Sequence, residues 1–137
     1  MTAATRAPAI VIVVEDDPDV RDLLAALLEL KGYSVLLAAD GREALERLAA
    51  AEPLPGLILL DATMPGMSGI DFRAAQESDP RLAGLPIVVM SADPEIREIA
   101  ARLRAVAFLK KPIATDALLE LLRRFCPRED AAASGAR

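Results

Sequence analysis

Polar side chains stand directly after four apolar segments of the sequence. The acidic run Glu15-Asp16-Asp17 follows the first segment, and Asp61 follows a later one. If these two segments are neighbouring strands, Asp16 and Asp61 lie close together, and two like charges ~4 Å apart repel by ~4 kcal/mol at an effective dielectric constant of ~20. Either a raised pKa on one acid or a bound hard cation must offset this repulsion. We favour the cation Mg²⁺, which needs only one or two protein carboxylates and keeps several waters.

Two further polar residues extend this chemistry from a cation to an oxyanion. Ser91 and Lys111 follow the last two apolar segments. A hydroxyl, an ammonium group and a cation together can hold a tetrahedral oxyanion, which implies a phosphoryl ligand. A carboxylate at the centre of such a site can itself act as the nucleophile that accepts the phosphoryl group. Asp61 is the candidate for that role, because the sequence contains no histidine.

The composition excludes several classes of protein. The absence of histidine rules out a Ser-His-Asp triad, a Cys-His pair and a histidine-ligated zinc. The single cysteine, Cys126, rules out an intramolecular disulfide and fits a reducing compartment. A formal net charge of -5 and an aromatic content of 3% disfavour binding to nucleic acid. The longest apolar runs are far shorter than the ~20 residues of a membrane span, so we expect a cytoplasmic protein that makes no membrane contact.

Apolar segments alternate with helical patterns five times along the chain. The predicted strands are residues 9–14, 33–38, 57–60, 87–90 and 106–109. They are apolar without alternation, which is typical of a parallel sheet covered by helices on both faces. The chain is therefore predicted to form a doubly wound α/β domain. In such sheets, ligands bind at the carboxyl ends of the strands, and the polar residues described above all lie on that edge.

The predicted helices are bounded by capping residues and prolines. The first begins near Pro18 after a cap at Asp17 or Asp19. The others are predicted over residues 42–51, near 70–77, from 91–94 to about 104, and from a cap at Thr115 or Asp116 to residue 125. We expect a folded domain over residues 9–125, a flexible N-terminus over 1–8 and a disordered tail over 126–137.

Four short segments stand at the ends of the predicted strands. They are residues 13–17 (VVEDD), 60–69 (LDATMPGMSG), 91–92 (SA) and 108–112 (FLKKP). Together they resemble the receiver domain of two-component response regulators, and the resemblance covers roughly residues 9–125. It implies a flavodoxin-like, five-stranded parallel sheet with the strand order 2-1-3-4-5.

The resemblance assigns roles to the residues that would hold a metal ion and a phosphoryl group. Glu15 and Asp16 match the acid pair of the family, with Asp16 as the direct Mg²⁺ ligand. Asp61 matches the phosphoacceptor and also contacts the metal. The backbone carbonyl of Thr63 would be a further ligand. Lys111 matches the ammonium group that pairs with the phosphoryl group.

The resemblance also assigns residues that respond to phosphorylation. Ser91 matches the switch hydroxyl that turns toward the phosphoryl group, and Phe108 matches the aromatic residue whose rotamer follows it. Pro112 is expected to follow a cis peptide bond. Phe108 replaces the more frequent tyrosine. Many members have Gly-Ala where this chain has Arg104-Ala105, so we expect the fourth helix to be capped differently or to run longer.

The resemblance implies a phosphorylation-controlled signalling switch of a two-component or phosphorelay pathway. A sensor histidine kinase or a phosphotransfer protein would supply the phosphoryl group. An unknown downstream protein would read the switch at the face formed by the fourth helix, the fifth strand and the fifth helix. Such a chain is not an enzyme, apart from assisting its own phosphorylation and dephosphorylation. Because no effector domain follows residue 125, we expect a stand-alone regulator or a piece of a larger one.

Other functions fit parts of the pattern. A receiver-like binding module that is never phosphorylated is expected to lack Asp61, Asp16 or Lys111, and this sequence has all three. A phosphatase with an aspartate nucleophile, of the haloacid dehalogenase type, needs a second acid where this chain has Thr63. The sequence leaves open whether the chain forms a homodimer. Exposed charges on helices are usually just solvated. The candidate dimer-face residues are Arg97, Arg102, Glu120, Arg123 and Arg124.

Overall fold

The computed structural model describes residues 9–64 and 66–128. Within them, five strands form one parallel sheet in the order β2-β1-β3-β4-β5. The strands are β1 (Ile10–Val14), β2 (Ser34–Ala38), β3 (Leu57–Asp61), β4 (Ile87–Ser91) and β5 (Ala107–Lys110). The predicted fold class and strand order are therefore confirmed.

Helices cover both faces of the sheet. They are α1 (Pro18–Leu30), α2 (Gly41–Ala50), α3 (Gly69–Glu77), α4 (Ile96–Arg102) and α5 (Thr115–Phe125). Val13 belongs to the core beneath α1 and α5, together with Leu28 and Leu122. Its neighbour Val14 belongs to the core beneath α2, α3 and α4, together with Phe72. Because successive strand residues point to opposite faces, strands buried on both sides are apolar throughout.

Strands β3 and β4 end one residue later than predicted. Asp61 is the last residue of β3 and pairs in register with Met90, while Ser91 is the last residue of β4 and pairs with Lys110. The sheet register therefore extends through the positions of both polar residues. Their side chains are positioned by the rigid sheet rather than by a loop.

Helix α4 begins later than predicted, and the predicted start at residues 91–94 is wrong. The Asp93 amide donates to Ser91 Oγ at 2.9 Å, and the Glu95 amide donates to Asp93 Oδ1 at 2.8 Å. Such local side-chain bonds compete with helix formation. The helix therefore starts only at Ile96, with Glu95 at the N-cap position and no side-chain cap.

Helix α4 ends in a Schellman motif with an arginine in the left-handed position. Arg104 has a φ of 53°. Its amide donates to the Ala101 carbonyl at 3.1 Å, and the Ala105 amide donates to the Ala100 carbonyl at 2.9 Å. These two hydrogen bonds define the Schellman motif, in which glycine usually holds the left-handed position. The expectation of a different cap or a longer helix at Arg104-Ala105 is wrong in geometry, since an arginine takes the position that glycine usually holds.

Contacts with α3 hold this arginine in place. The Arg104 guanidinium pairs with Glu77. Arg73 donates to the Leu103 carbonyl at 2.8 Å and to the Arg104 carbonyl at 3.2 Å. A left-handed non-glycine residue costs about 1 kcal/mol or more, which these contacts offset.

The ends of the other helices agree in part with the sequence. Asp17 caps α1 and accepts from the Asp19 amide at 2.9 Å. The predicted cap of α5 is wrong, because Thr115 and Asp116 are already helical and Ala114 precedes them without a side-chain cap. Ile113, which directly precedes Ala114, packs against the core. The N-cap residue is therefore Ala114, one residue before the earlier of the two predicted positions.

The folded part of the chain extends past the predicted limit at residue 125. Cys126, which was assigned to the tail, is 6% exposed and packs in the core beneath α1 and α5. The predicted flexible segment 1–8 and residues 129–137 of the predicted tail lie outside the described residues. Among the helices that are described, none has the length and apolar content needed to cross a bilayer.

Candidate functional site

The carboxyl edge of the sheet gathers the predicted site residues. Glu15 follows β1, Asp61 ends β3, Ser91 ends β4 and Lys111 follows β5. Because β1 lies between β2 and β3, the strand order reverses at this point, which is where open parallel sheets bind ligands. Carboxylate oxygens of Glu15, Asp16 and Asp61 lie within 4.8 Å of one another.

Glu15 is a buried acid whose carboxylate has two donors. Its side chain is 1% exposed. Lys111 Nζ donates to Oε1 at 2.7 Å, and the Asp17 amide donates to Oε2 at 3.2 Å. A buried charge needs such partners to persist.

Lys111 connects two of the acids. Its Nζ lies 2.7 Å from Glu15 Oε1 and 3.5 Å from Asp61 Oδ2. Burial alone would lower the pKa of the Lys111 ammonium, but the hydrogen bond to Glu15 and the charge of Asp61 outweigh it, so the pKa is raised. Lys111 therefore carries a permanent positive charge beside Asp61.

Asp61 is buried beside another acid. Burial raises the pKa of the Asp61 carboxyl to about 6, against the hydrogen bond from the Thr63 amide to Oδ1, which lowers it. The charge of Glu15 adds to the rise, and that of Lys111 reduces it. Ionisation of the Asp61 carboxyl is therefore costly without a bound cation, and a cation would stabilise its ionised form.

The donor set fits a hard divalent cation. Three carboxyl groups lie together, and the ammonium group of Lys111 contacts two of them, so acidic groups outnumber the basic group at this site. Asp16 is exposed, and its carboxylate is accessible from solvent. Oxygen ligands with room for several waters are what Mg²⁺ requires. Thr63, whose carbonyl was predicted to bind the metal, lies in the loop directly after Asp61.

The two predicted switch residues lie further along the same edge. Ser91 is 2% exposed, and its Oγ accepts from the Asp93 amide of its own loop. Phe108 is half-buried in β5. The guanidinium carbon of Arg97, a residue proposed from the sequence for a dimer face, lies 5.4 Å from the centroid of the Phe108 ring. The Lys111-Pro112 peptide bond is cis, and so is Glu52-Pro53, which the sequence did not suggest.

Sequence reasoning missed one residue that contacts this site. Arg21 of α1 donates from Nη1 to the Glu15 carbonyl oxygen at 2.9 Å. A cation close to the N-terminus of a helix opposes the helix dipole. An arginine in the first turn of this helix, four residues after the acidic run Glu15-Asp16-Asp17, was the available signal.

Comparison with known proteins identifies the family. Residues 11–123 match the response regulator receiver domain. The chain belongs to this family. Receiver domains are signalling switches of two-component systems rather than enzymes, they interact with histidine kinases or phosphotransfer proteins, and they bind Mg²⁺ in an acidic site.

Individual relatives agree with this assignment. The receiver domain is 39% identical over 135 residues to Response regulator MprA of Mycolicibacterium vanbaalenii, which covers 94% of this chain and 57% of that protein. It thus spans little more than half of that relative. The chemotaxis protein CheY4 of Vibrio cholerae is 32% identical with a TM-score of 0.78, covering 87% of this chain and 99% of that one.

One solved structure bears on the metal. The receiver domain of a sensor histidine kinase from Pseudomonas aeruginosa is 26% identical with a TM-score of 0.78, covering 87% of this chain and 98% of that one. It is described with a magnesium ion coordinated in its active site cleft.

Proposed function

We propose that this receiver domain is a phosphorylation-controlled switch that accepts a phosphoryl group on Asp61 from a histidine kinase or a phosphotransfer protein. The observation that supports this most directly is the placement of Lys111 Nζ, 3.5 Å from Asp61 Oδ2, beside the convergent acids Glu15 and Asp16. A nucleophile, an ammonium group and carboxylate ligands suited to a metal ion therefore lie together at one edge of the sheet.

Asp61 performs the covalent step. An oxygen of its carboxylate attacks the phosphorus of the donor, the bond from phosphorus to the leaving group breaks, and an acyl phosphate forms on Asp61. The Thr63 amide holds Oδ1 at 3.1 Å and so fixes the orientation of the nucleophile. No general base is required, because the attacking group is already a carboxylate above about pH 6.

Glu15, Asp16 and Asp61, with the Thr63 carbonyl, are the residues that would hold Mg²⁺. Such an ion supplies positive charge that stabilises the phosphoryl oxygens in the transition state. Lys111 contributes a second positive charge, and its ammonium can donate to the phosphoryl group while keeping contact with Glu15. Ser91 Oγ can donate to a phosphoryl oxygen after its side chain turns from the Asp93 amide.

The output is a change in population between two arrangements of the receiver. When Ser91 turns toward the phosphoryl group, the rotamer of Phe108 follows, and the face of α4, β5 and α5 changes with it. A downstream protein that binds one arrangement more tightly reads the switch. The presence of Asp16, Asp61 and Lys111 in one constellation favours this function over a binding module without phosphorylation.

Intact mass after incubation with acetyl phosphate tests the proposal. We expect a gain of one phosphoryl group in the presence of Mg²⁺ and none after chelation of the metal. Asp61→Asn is expected to abolish the gain, while Asp22→Asn, which removes an exposed acid of α1, leaves it intact. A gain that persists in Asp61→Asn, or a folded wild type that takes no phosphoryl group, would contradict the proposal.

A further inference from the structure

The loop between β1 and α1 is anchored by a side chain from the helix that follows it. Arg21 lies one turn into α1, and its guanidinium Nη1 donates to the backbone carbonyl of Glu15 at 2.9 Å. Its side chain is half-buried. A guanidinium has several donors and no acceptor, so Arg21 is the donor in this contact.

This hydrogen bond fixes the peptide unit that carries Asp16. The carbonyl of Glu15 lies in the rigid peptide plane that ends at the Asp16 Cα. The Glu15 amide on the other side of the residue donates to the Ala38 carbonyl of β2 at 3.0 Å. With both backbone groups of Glu15 bonded, the direction in which the chain enters Asp16 is determined.

The peptide unit after Asp16 is fixed as well. The Asp17 amide donates to the side chain of Glu15 at 3.2 Å. The exposed Asp16 therefore stands between two anchored peptide units. Its carboxylate approaches Glu15 and Asp61 to within 4.8 Å because its backbone is held, although its side chain reaches into solvent.

We infer that Arg21 is a positioning residue for the metal-binding site, holding the Glu15-Asp16 peptide so that the Asp16 carboxylate meets a divalent cation together with Asp61. The inference rests on the proposed function, since it assigns to Arg21 the presentation of the proposed Mg²⁺ ligand. Residues that orient metal ligands commonly change metal affinity about 10-fold to 100-fold when they are lost.

Calorimetric titration of the purified protein with Mg²⁺ tests the inference without any turnover. For Arg21→Gln we expect an Mg²⁺ dissociation constant raised about 10-fold or more. Arg21→Lys keeps the charge and one donor, and we expect an intermediate value. Arg42→Gln is the matched control, because Arg42 is exposed near the carboxyl end of β2 at the same edge of the sheet and its loss removes the same charge. We expect Arg42→Gln to bind as the wild type does.

The acetyl phosphate reaction supplies a second readout. In Arg21→Gln the Mg²⁺ concentration for half-maximal rate should rise by the same factor as the dissociation constant, while the rate at saturating Mg²⁺ changes little. A purely structural defect would lower the saturated rate through loss of folded protein, and Arg21→Lys keeps the test decisive if the glutamine variant fails to fold.

Three results would overturn the inference. If the wild type binds Mg²⁺ and Arg21→Gln binds it equally well, Arg21 does not position the site, and the proposed function still stands. If Arg42→Gln weakens binding as much as Arg21→Gln does, general charge rather than positioning is the cause. If the folded wild type binds no Mg²⁺ at all, the proposed function fails and the inference fails with it.

Discussion

Asp61 combines two requirements that oppose each other. The attack on phosphorus that we propose requires its ionised form, yet its burial and the neighbouring Glu15 favour the neutral form and raise its pKa to about 6. In the unfolded chain the pKa of the same carboxyl lies near its ordinary value of 3.8. Asp61 therefore contributes most to stability below that value, and its contribution is lost as the pH rises through about 6.

This balance predicts that Asp61→Asn stabilises the metal-free protein. We expect the free energy of unfolding of the variant to exceed that of the wild type by about 2 kcal/mol at about pH 7.5, because the amide cannot ionise. The difference should shrink as the pH falls from about 6 toward 4. Denaturant titrations with a chelator present measure it, with Asp22→Asn as the control for the loss of one acid. A wild type that is more stable than Asp61→Asn at neutral pH would refute this.

For individual residues, the sequence predicted the location of those side chains that lie at or directly after the ends of strands. Asp61, Ser91 and Lys111 belong to that group. The contacts of Arg21 with the Glu15 carbonyl and of Arg97 with the Phe108 ring were not predictable in this way. A long side chain can reach several partners, and the packing of helix against sheet decides which one it meets.

At the scale of elements, the end of α4 shows how the chain tolerates an unfavourable residue. Arg104 occupies the left-handed position of a Schellman motif and pairs with Glu77 of α3. Local preference alone favours glycine there, so the sequence suggested another helix end. The partner that makes arginine acceptable stands on a different helix and is invisible to a local pattern.

We expect Arg104→Gly to be more stable than Arg104→Ala by about 1 kcal/mol, because glycine adopts a positive φ without the steric cost. Both variants lose the pair with Glu77 equally, so the difference isolates the backbone. Glu46→Gly and Glu46→Ala are the controls at an exposed position in the middle of α2, where glycine is less stable than alanine by about 0.5 to 1 kcal/mol. Thermal or chemical unfolding of the four variants gives the comparison. An alanine variant as stable as the glycine variant at position 104 would contradict the assigned geometry.

The start of α4 shows that residues typical of a helix start can form a turn instead. Residues 91–94 had the composition of a helix start, but the Ser91 hydroxyl and the Asp93 carboxylate bond to amides of their own loop instead. The same residue types cap helices and form turns. The choice between the two depends on where β4 ends.

At the scale of the whole molecule, the pattern of the sequence predicted a parallel sheet between helices, while the strand order came from the resemblance to a family. Apolar runs show that a strand is buried on both faces but not which strand lies beside it. Order matters here because the neighbourhood of β1 and β3 is what brings Asp16 to Asp61.

Phosphorylation should change a restricted part of the molecule. If Ser91 turns toward the phosphoryl group, the Asp93 amide loses its acceptor, and we expect faster hydrogen exchange at Asp93. Amides in the centres of β1 and β3 should keep their protection. Exchange with and without acetyl phosphate and Mg²⁺ measures this, and Ser91→Ala should show fast exchange at Asp93 in both conditions. Unchanged exchange at Asp93, or changes spread across the sheet, would refute this route of transmission.

Asp61 itself is the residue that we propose carries the phosphoryl group. Borohydride reduces an aspartyl phosphate to homoserine, so reduction of the acetyl phosphate-treated protein, followed by peptide sequencing in a mass spectrometer, locates the modified residue. We expect homoserine at position 61 and unmodified aspartate at position 16. Homoserine at another position, or a phosphorylated protein that yields no homoserine, would contradict the assignment of Asp61 as the phosphoacceptor.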